Sequence, residues 1–199
     1  MRRLLLILSS IGFLFTTVSH ESCSQESTPD SSYTTYYPSG AKLRKTPYQN
    51  GKREGAEIWW YESGAKQGQR YYKDGREDGL EVRWYESGQK RGEKHWQDGK
   101  LEGIVVWWYE SGAKSAEIPY RDGKENGNEV AWFENGIREF ENHWEDGKKE
   151  GLSVLWHENG RRRCEMPHKN GKRDGVAKYW DRDGNFRSET RWKNDEPVN

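Results

Sequence analysis

Trp84-Tyr85-Glu86-Ser87-Gly88 is the stretch that decides the fold, because the chain keeps returning to it. Gly40, Gly64, Gly88, Gly112, Gly136, Gly160 and Gly184 each close such a tetrapeptide, 24 residues apart without insertion or deletion. A second glycine follows eleven residues later, at Gly51, Gly75, Gly99, Gly123, Gly147 and Gly171. A third comes four further on, from Gly55 to Gly175. A fixed period of about 20–50 residues identifies a repeat array.

Within a unit, Leu80, Val82 and Trp84 alternate with Glu81, Arg83 and Tyr85. Period-two alternation with branched and aromatic residues predicts a half-buried strand. Glu86-Ser87-Gly88 reads as a three-residue hairpin loop whose glycine takes the left-handed position. The chain then returns through Gln89 to Trp96, and Asp98-Gly99 turns it outward again. The expected fold is all-β: an elongated, single-layer, twisted antiparallel sheet of about seven 24-residue β-hairpin repeats. At about 4.8 Å per strand, roughly fourteen strands extend on the order of 65 Å.

Two aromatic columns follow from this register. One runs Trp60, Trp84, Trp108, Trp132, Trp156 and Trp180, with Tyr36 in the first unit. The other runs Tyr48, Tyr72, Trp96, Tyr120, Trp144, His168 and Trp192. The three-residue loop sets Trp84 across from Lys90, and likewise Trp60–Lys66, Trp108–Lys114, Trp132–Arg138 and Trp156–Arg162. A basic stem laid on each indole would cover it and add a cation–π attraction.

Composition agrees with a thin array. Hydrophobic residues make up 31 % and charged residues 33 % of 199, which alone would suggest disorder. Eleven Trp and eleven Tyr at fixed positions argue against it. Each unit of such an array buries little and touches only its neighbours. With 33 basic and 33 acidic residues the net charge is zero. No basic stripe stands out, so nucleic acid is not an expected partner.

Met1-Arg2-Arg3 followed by the apolar run Leu4–Val18 has the form of a signal peptide and is short for a membrane span. Two processing outcomes fit. One is a cut at Thr17-Val18-Ser19. The other is a cut before Cys23, whose sulfur would take a lipid anchor, although His20 and Glu21 depart from a good lipobox. The expected organisation is a signal peptide over 1–22, a Ser-rich flexible linker over 23–35, the array over 36–195 and a frayed end over 196–199. The expected location is outside the cytoplasm, in the periplasm or outer envelope.

Units such as Tyr61-Glu62-Ser63-Gly64-Ala65-Lys66 and Tyr72-Lys73-Asp74-Gly75-Arg76-Glu77-Asp78-Gly79 resemble the MORN repeat in its bacterial variant form. The resemblance runs from 36 to about 195. It implies an elongated hairpin array that serves as an interaction or membrane-associating module. Some bacterial members carry an antitoxin label; the export signal departs from that group, because an exported chain would not meet a cytoplasmic toxin.

No catalytic constellation is legible. His95 and His143 share a repeat position two units apart, about 20 Å in the array, too far for a shared metal. Glu93, Glu117, Glu141, Glu165 and Glu189 form one periodic column, which marks a solvated face. Cys164 sits in a column otherwise filled by Arg44, Gly68, Gly92, Ala116, Phe140 and Ser188, and reads as a packed residue. Neither cofactor nor metal ion is expected. Trp59 and Trp107 precede their column tryptophans by one, so they face the other side, which Tyr61, Tyr85, Tyr109 and Phe133 should share. This aromatic strip is the candidate partner-binding face. The expected function is a noncatalytic exported module for protein–protein interaction, the alternatives being an antitoxin component or a membrane-surface protein anchored at Cys23. Open sheet edges would permit self-association.

Overall fold

The computed structural model describes residues 30–198; the expected signal peptide and Cys23 lie outside them. All regular structure among the described residues is β, in a single antiparallel sheet of 21 strands. Each unit contributes three. A six-residue strand such as Gly79–Trp84 runs out, an eight-residue strand such as Lys90–Gln97 returns, and a two-residue strand such as Lys100–Leu101 folds back on the return strand. The long strands number fourteen, as the period predicted, and the short one is added by the Asp-Gly turn. The first strand, Ser31–Tyr36, pairs with Lys42–Gln49 and so begins before the expected start at 36. At the other end Glu196–Val198 pairs with Arg191–Lys193, where fraying was expected.

The hairpin loop has the expected three residues. The Tyr85 amide donates to the Gln89 carbonyl at 2.8 Å, the Gly88 amide donates to the Tyr85 carbonyl at 2.9 Å, and Gly88 sits at φ +87°. That is a type I turn closed by a left-handed glycine. At the far end Asp74 and Gly75 have φ of 50° and 85°, the two positive values of a type I′ turn. Consecutive units pair through only two residues, as at Gly68↔Arg83 and Gln69↔Val82. Two further bonds strengthen most junctions: the Gly99 amide donates to Glu77 O at 2.8 Å, and the Tyr61 hydroxyl donates to Trp84 O at 2.9 Å.

A bulge lies three residues past each loop glycine. Trp84 pairs with Lys90 but Arg83 pairs with Gly92, so Arg91 is the extra residue. It brings residues three apart onto one side. Lys90 reaches Glu93 at 2.8 Å and Arg138 reaches Glu141 at 3.0 Å, and Arg162 pairs with Glu165 in the same way.

The backbone pairs Trp60↔Lys66, Trp84↔Lys90, Trp108↔Lys114, Trp132↔Arg138 and Trp156↔Arg162 form as expected. The cation–π contacts, however, go one unit forward. Lys66 Nζ lies 4.8 Å from the Trp84 ring, Lys90 Nζ 5.2 Å from Trp108 and Lys114 Nζ 5.7 Å from Trp132. A return strand has an outward strand on each flank, and hairpin register does not say which indole its lysine will choose. In the last unit Phe186 takes the basic slot and meets Trp180 edge to face, centroids 6.2 Å apart.

The two sides of the sheet differ from what alternation suggested. Leu80, Val82 and Trp84 define an outer side that stays partly open, and Ile104 and Leu152 there are 54 % and 47 % exposed. The buried residues, Thr46, Glu57, Tyr72, Glu81, Val105, Ala131, Asn142, Ser153, Cys164 and Ala177, all lie on the opposite, inner side. Alternation sorts residues into two sets but does not say which set the long neighbouring side chains will cover. The two aromatic columns accordingly fall on opposite sides: the Trp84 column outside, the Trp96 column inside.

Candidate functional site: an arginine-rich recess on the inner side

The inner side is built around one carboxylate column. Glu81 is fully buried, and every partner comes from the same side. Arg83 Nε lies 2.7 Å from Oε1, and Arg70 Nε 2.8 Å from Oε2. Trp96 Nε1 donates to Oε2 at 3.0 Å, and Lys94 Nζ is 3.9 Å away. Burial would raise the Glu81 pKa; the charges of Arg70, Arg83 and Lys94 outweigh it and hold the carboxyl below its usual value. The same slot in the preceding unit holds Glu57, which accepts from Thr46 Oγ1 at 2.8 Å. Beyond Glu81 the column becomes Val105, Glu129, Ser153 and Ala177, and the surroundings turn apolar at Ile118, Phe140 and Met166.

Trp59 and Trp107 each lean on a glycine. A Cβ on Gly68 would lie 2.1 Å from Trp59 Cζ2, and one on Gly92 would lie 2.5 Å from Trp107 Cε3 and Cζ3. These glycines serve close approach rather than a turn. The guanidinium carbons of Arg44 and Arg70 lie 5.9 and 5.8 Å from the Trp59 centroid, and Lys94 Nζ lies 5.2 Å from that of Trp107. Arg83 stands between the two indoles in the row.

Around Trp59 opens a recess of about 370 Å³ lined by Arg44, Arg53, Arg70, Arg83 and Arg91, with Glu57, Glu77, Gln67, Tyr72 and Trp84. Five guanidinium groups against two carboxylates leave a local charge of +3 in a chain of net charge zero. Three arginines hold no close carboxylate there. Arg44 is 54 % exposed and no nearer than 3.8 Å to Glu57; Arg53 bonds the Tyr72 hydroxyl at 2.8 Å; Arg91 is exposed and lies over the Tyr85 ring. Sequence reading missed this cluster. Its members come from several strands, one turn segment and one bulge, which only the folded sheet brings together.

The aromatic strip expected from sequence is found as follows. Trp59 and Trp107 lie on the inner side with their rings over glycine. Tyr61, Tyr85 and Tyr109 each donate a hydroxyl hydrogen bond to the next unit's tryptophan carbonyl, at 2.9, 2.8 and 2.8 Å. Phe133 fills the same slot without a hydroxyl. His157, next in the column, lies 3.0 Å from Trp180 O through Nε2, which must therefore carry the proton. These tyrosines thus have a structural duty in joining units.

The remaining titratable groups also fit the repeat. His168 Nδ1 lies 3.1 Å from Ser153 Oγ, which repeats the Trp96–Glu81 bond with other residues. Burial and the charge of Lys149 hold the His168 pKa below the usual histidine value. Burial pushes the Cys164 thiol up. Among the described residues no group of three His, Cys, Asp or Glu is placed to hold a metal ion.

An open one-layer meander of hairpin units of like geometry, with a pinched junction between each pair, defines a β-hairpin repeat array of the solenoid-like class. Three consecutive units match the MORN repeat variant family, over residues 53–74, 77–98 and 101–122. The same 24-residue geometry continues on both sides of that stretch. No curated protein sequence matches the chain significantly. MORN repeats serve in general as modules that interact with proteins or membranes, and the repeat fold is typically noncatalytic.

Proposed function

We propose that this chain is a noncatalytic, exported repeat module that binds a protein partner at the cell envelope through its inner side. One observation carries the reading. Two outer columns repeat almost unchanged, with Trp60 to Trp180 all tryptophan and Lys66 to Arg162 all basic. Two inner columns vary from unit to unit: Glu57, Glu81, Val105, Glu129, Ser153, Ala177 in one, and Arg70, Lys94, Ile118, Asn142, Met166, Thr190 in another. A constant scaffold that presents a changing inner side is suited to recognising one partner along its length. Export rests on the sequence of residues 1–22, with lipidation at Cys23 as the means of tethering.

The test is intact mass and fractionation of the protein from its native host, followed by crosslinking from inner positions such as Trp107. A mature chain lacking residues 1–22 and one specific crosslinked protein are the expected results. A full-length chain in the cytosol would refute the export reading. Crosslinks that form from outer positions instead would refute the choice of side.

A further inference from the structure

We propose that the recess around Arg44, Arg83 and Arg91 receives the carboxylate side chains of an acidic, extended peptide segment of the partner. This rests on the binding-module reading and adds to it a location and a ligand chemistry.

Three observations converge. The first is unbalanced charge: the lining carries +3, Arg44 exposes its guanidinium group with Glu57 no nearer than 3.8 Å, and Arg91 exposes its own. The second is what the neighbouring cations already hold. Glu77 lies 3.1 Å from Arg70 Nη1, and Glu81 is shared by Arg70, Arg83 and Lys94. An arginine fork matches a carboxylate with two parallel hydrogen bonds. A further carboxylate would extend a pairing the site already makes. The third is size. About 370 Å³ is room for one or two acidic side chains.

The geometry disfavours other anionic ligands. Stacking of nucleobases or sugars needs a free aromatic face, whereas the Trp59 ring rests on Gly68 and carries Arg44 and Arg70 at 5.9 and 5.8 Å. A bilayer surface is flat, and Arg70 sits back in the recess with only 20 % of its side chain exposed.

The probe is a ten-residue peptide of alternating glutamate and serine, titrated calorimetrically into the purified mature protein at low and moderate salt. Its lysine counterpart, inorganic phosphate and phosphatidylglycerol vesicles serve as comparisons. The doubly substituted Arg44→Gln/Arg91→Gln protein keeps the Glu81 cluster intact. An Arg121→Gln/Arg182→Gln protein loses the same charge away from the recess. The expected result is binding of the glutamate peptide alone, weakened about tenfold by the recess substitutions, since two partly exposed ion pairs contribute up to about 1 kcal/mol each. The control pair should change affinity less than about twofold. Equal weakening by both pairs, no binding of the peptide, or binding of phosphate or vesicles instead would overturn the assignment. If the recess variant still crosslinks the native partner as well as the wild type does, the recess assignment fails and the module reading stands. If the peptide binds as expected but no partner is found at the envelope, the module reading fails and the recess remains an acidic-peptide site.

Discussion

Gly68→Ala tests the packing logic of the inner side most directly. The new Cβ would stand 2.1 Å from Trp59 Cζ2 and 2.2 Å from Cε2, whereas ordinary contact begins at 3.4 Å. The indole must therefore withdraw by at least 1.3 Å, the difference between 3.4 and 2.1 Å. It cannot do so without disturbing its neighbours, because Arg44 and Arg70 lie over it. Overpacking of this kind costs about 1–3 kcal/mol, and a weakened cation–π contact adds about 0.5–1 kcal/mol. We expect a loss of about 2–3 kcal/mol in urea unfolding followed by tryptophan fluorescence, with the slope of the transition unchanged. In a Trp59→Leu background the same substitution should cost much less. The chain supplies its own comparison in Ala116, which occupies the Gly68 column opposite Trp107 and is tolerated there, because Trp107 leans on Gly92 instead. If Gly68→Ala and Trp59→Leu prove additive within about 0.5 kcal/mol, the two residues are not coupled and the close-approach argument is wrong.

Other expectations follow from single contacts. Glu81→Val should cost about 3–5 kcal/mol in the same unfolding assay, because it leaves Arg70, Arg83 and Lys94 facing one another without their shared carboxylate. Because the folded-state pKa of Glu81 is depressed, its stabilisation is complete above the unfolded carboxylate value, about 4.3, and is lost as pH falls through the lower folded value. Glu81→Gln should flatten that acid limb of the stability curve, and an unchanged limb would contradict the assignment. Phe133→Tyr should gain about 0.5–1.5 kcal/mol by donating to the Trp156 carbonyl as its counterparts do one unit on, read as a raised urea midpoint. Cys164 is buried and its thiol pKa is raised, so peptide mapping after iodoacetamide should show alkylation there only once the array is unfolded.

Much of the architecture was legible in one chain because the period is exact in residues. The 24-residue spacing, the loop glycine at Gly88 and the Asp74-Gly75 turn set the strand order, the loop length and the Trp84–Lys90 pairing before any coordinates. Each of these depends on local backbone geometry, which a few neighbouring residues dictate. The side that became buried was another matter. Leu80, Val82 and Trp84 look like a core stripe, yet Glu81 is the residue sealed from water, because Arg70, Arg83, Lys94 and Trp96 close over it from three different strands. The choice of Trp84 rather than Trp60 by Lys66 was equally hidden, since the strand carrying the lysine has an indole on each flank. The recess required both register and bulge: Arg44, Arg83 and Arg91 lie on three different strands and meet only when the sheet has formed. Local hydrogen bonding and turn chemistry are written residue by residue and survive in the sequence as a period. Burial and charge balance are sums over side chains that only the folded sheet brings together.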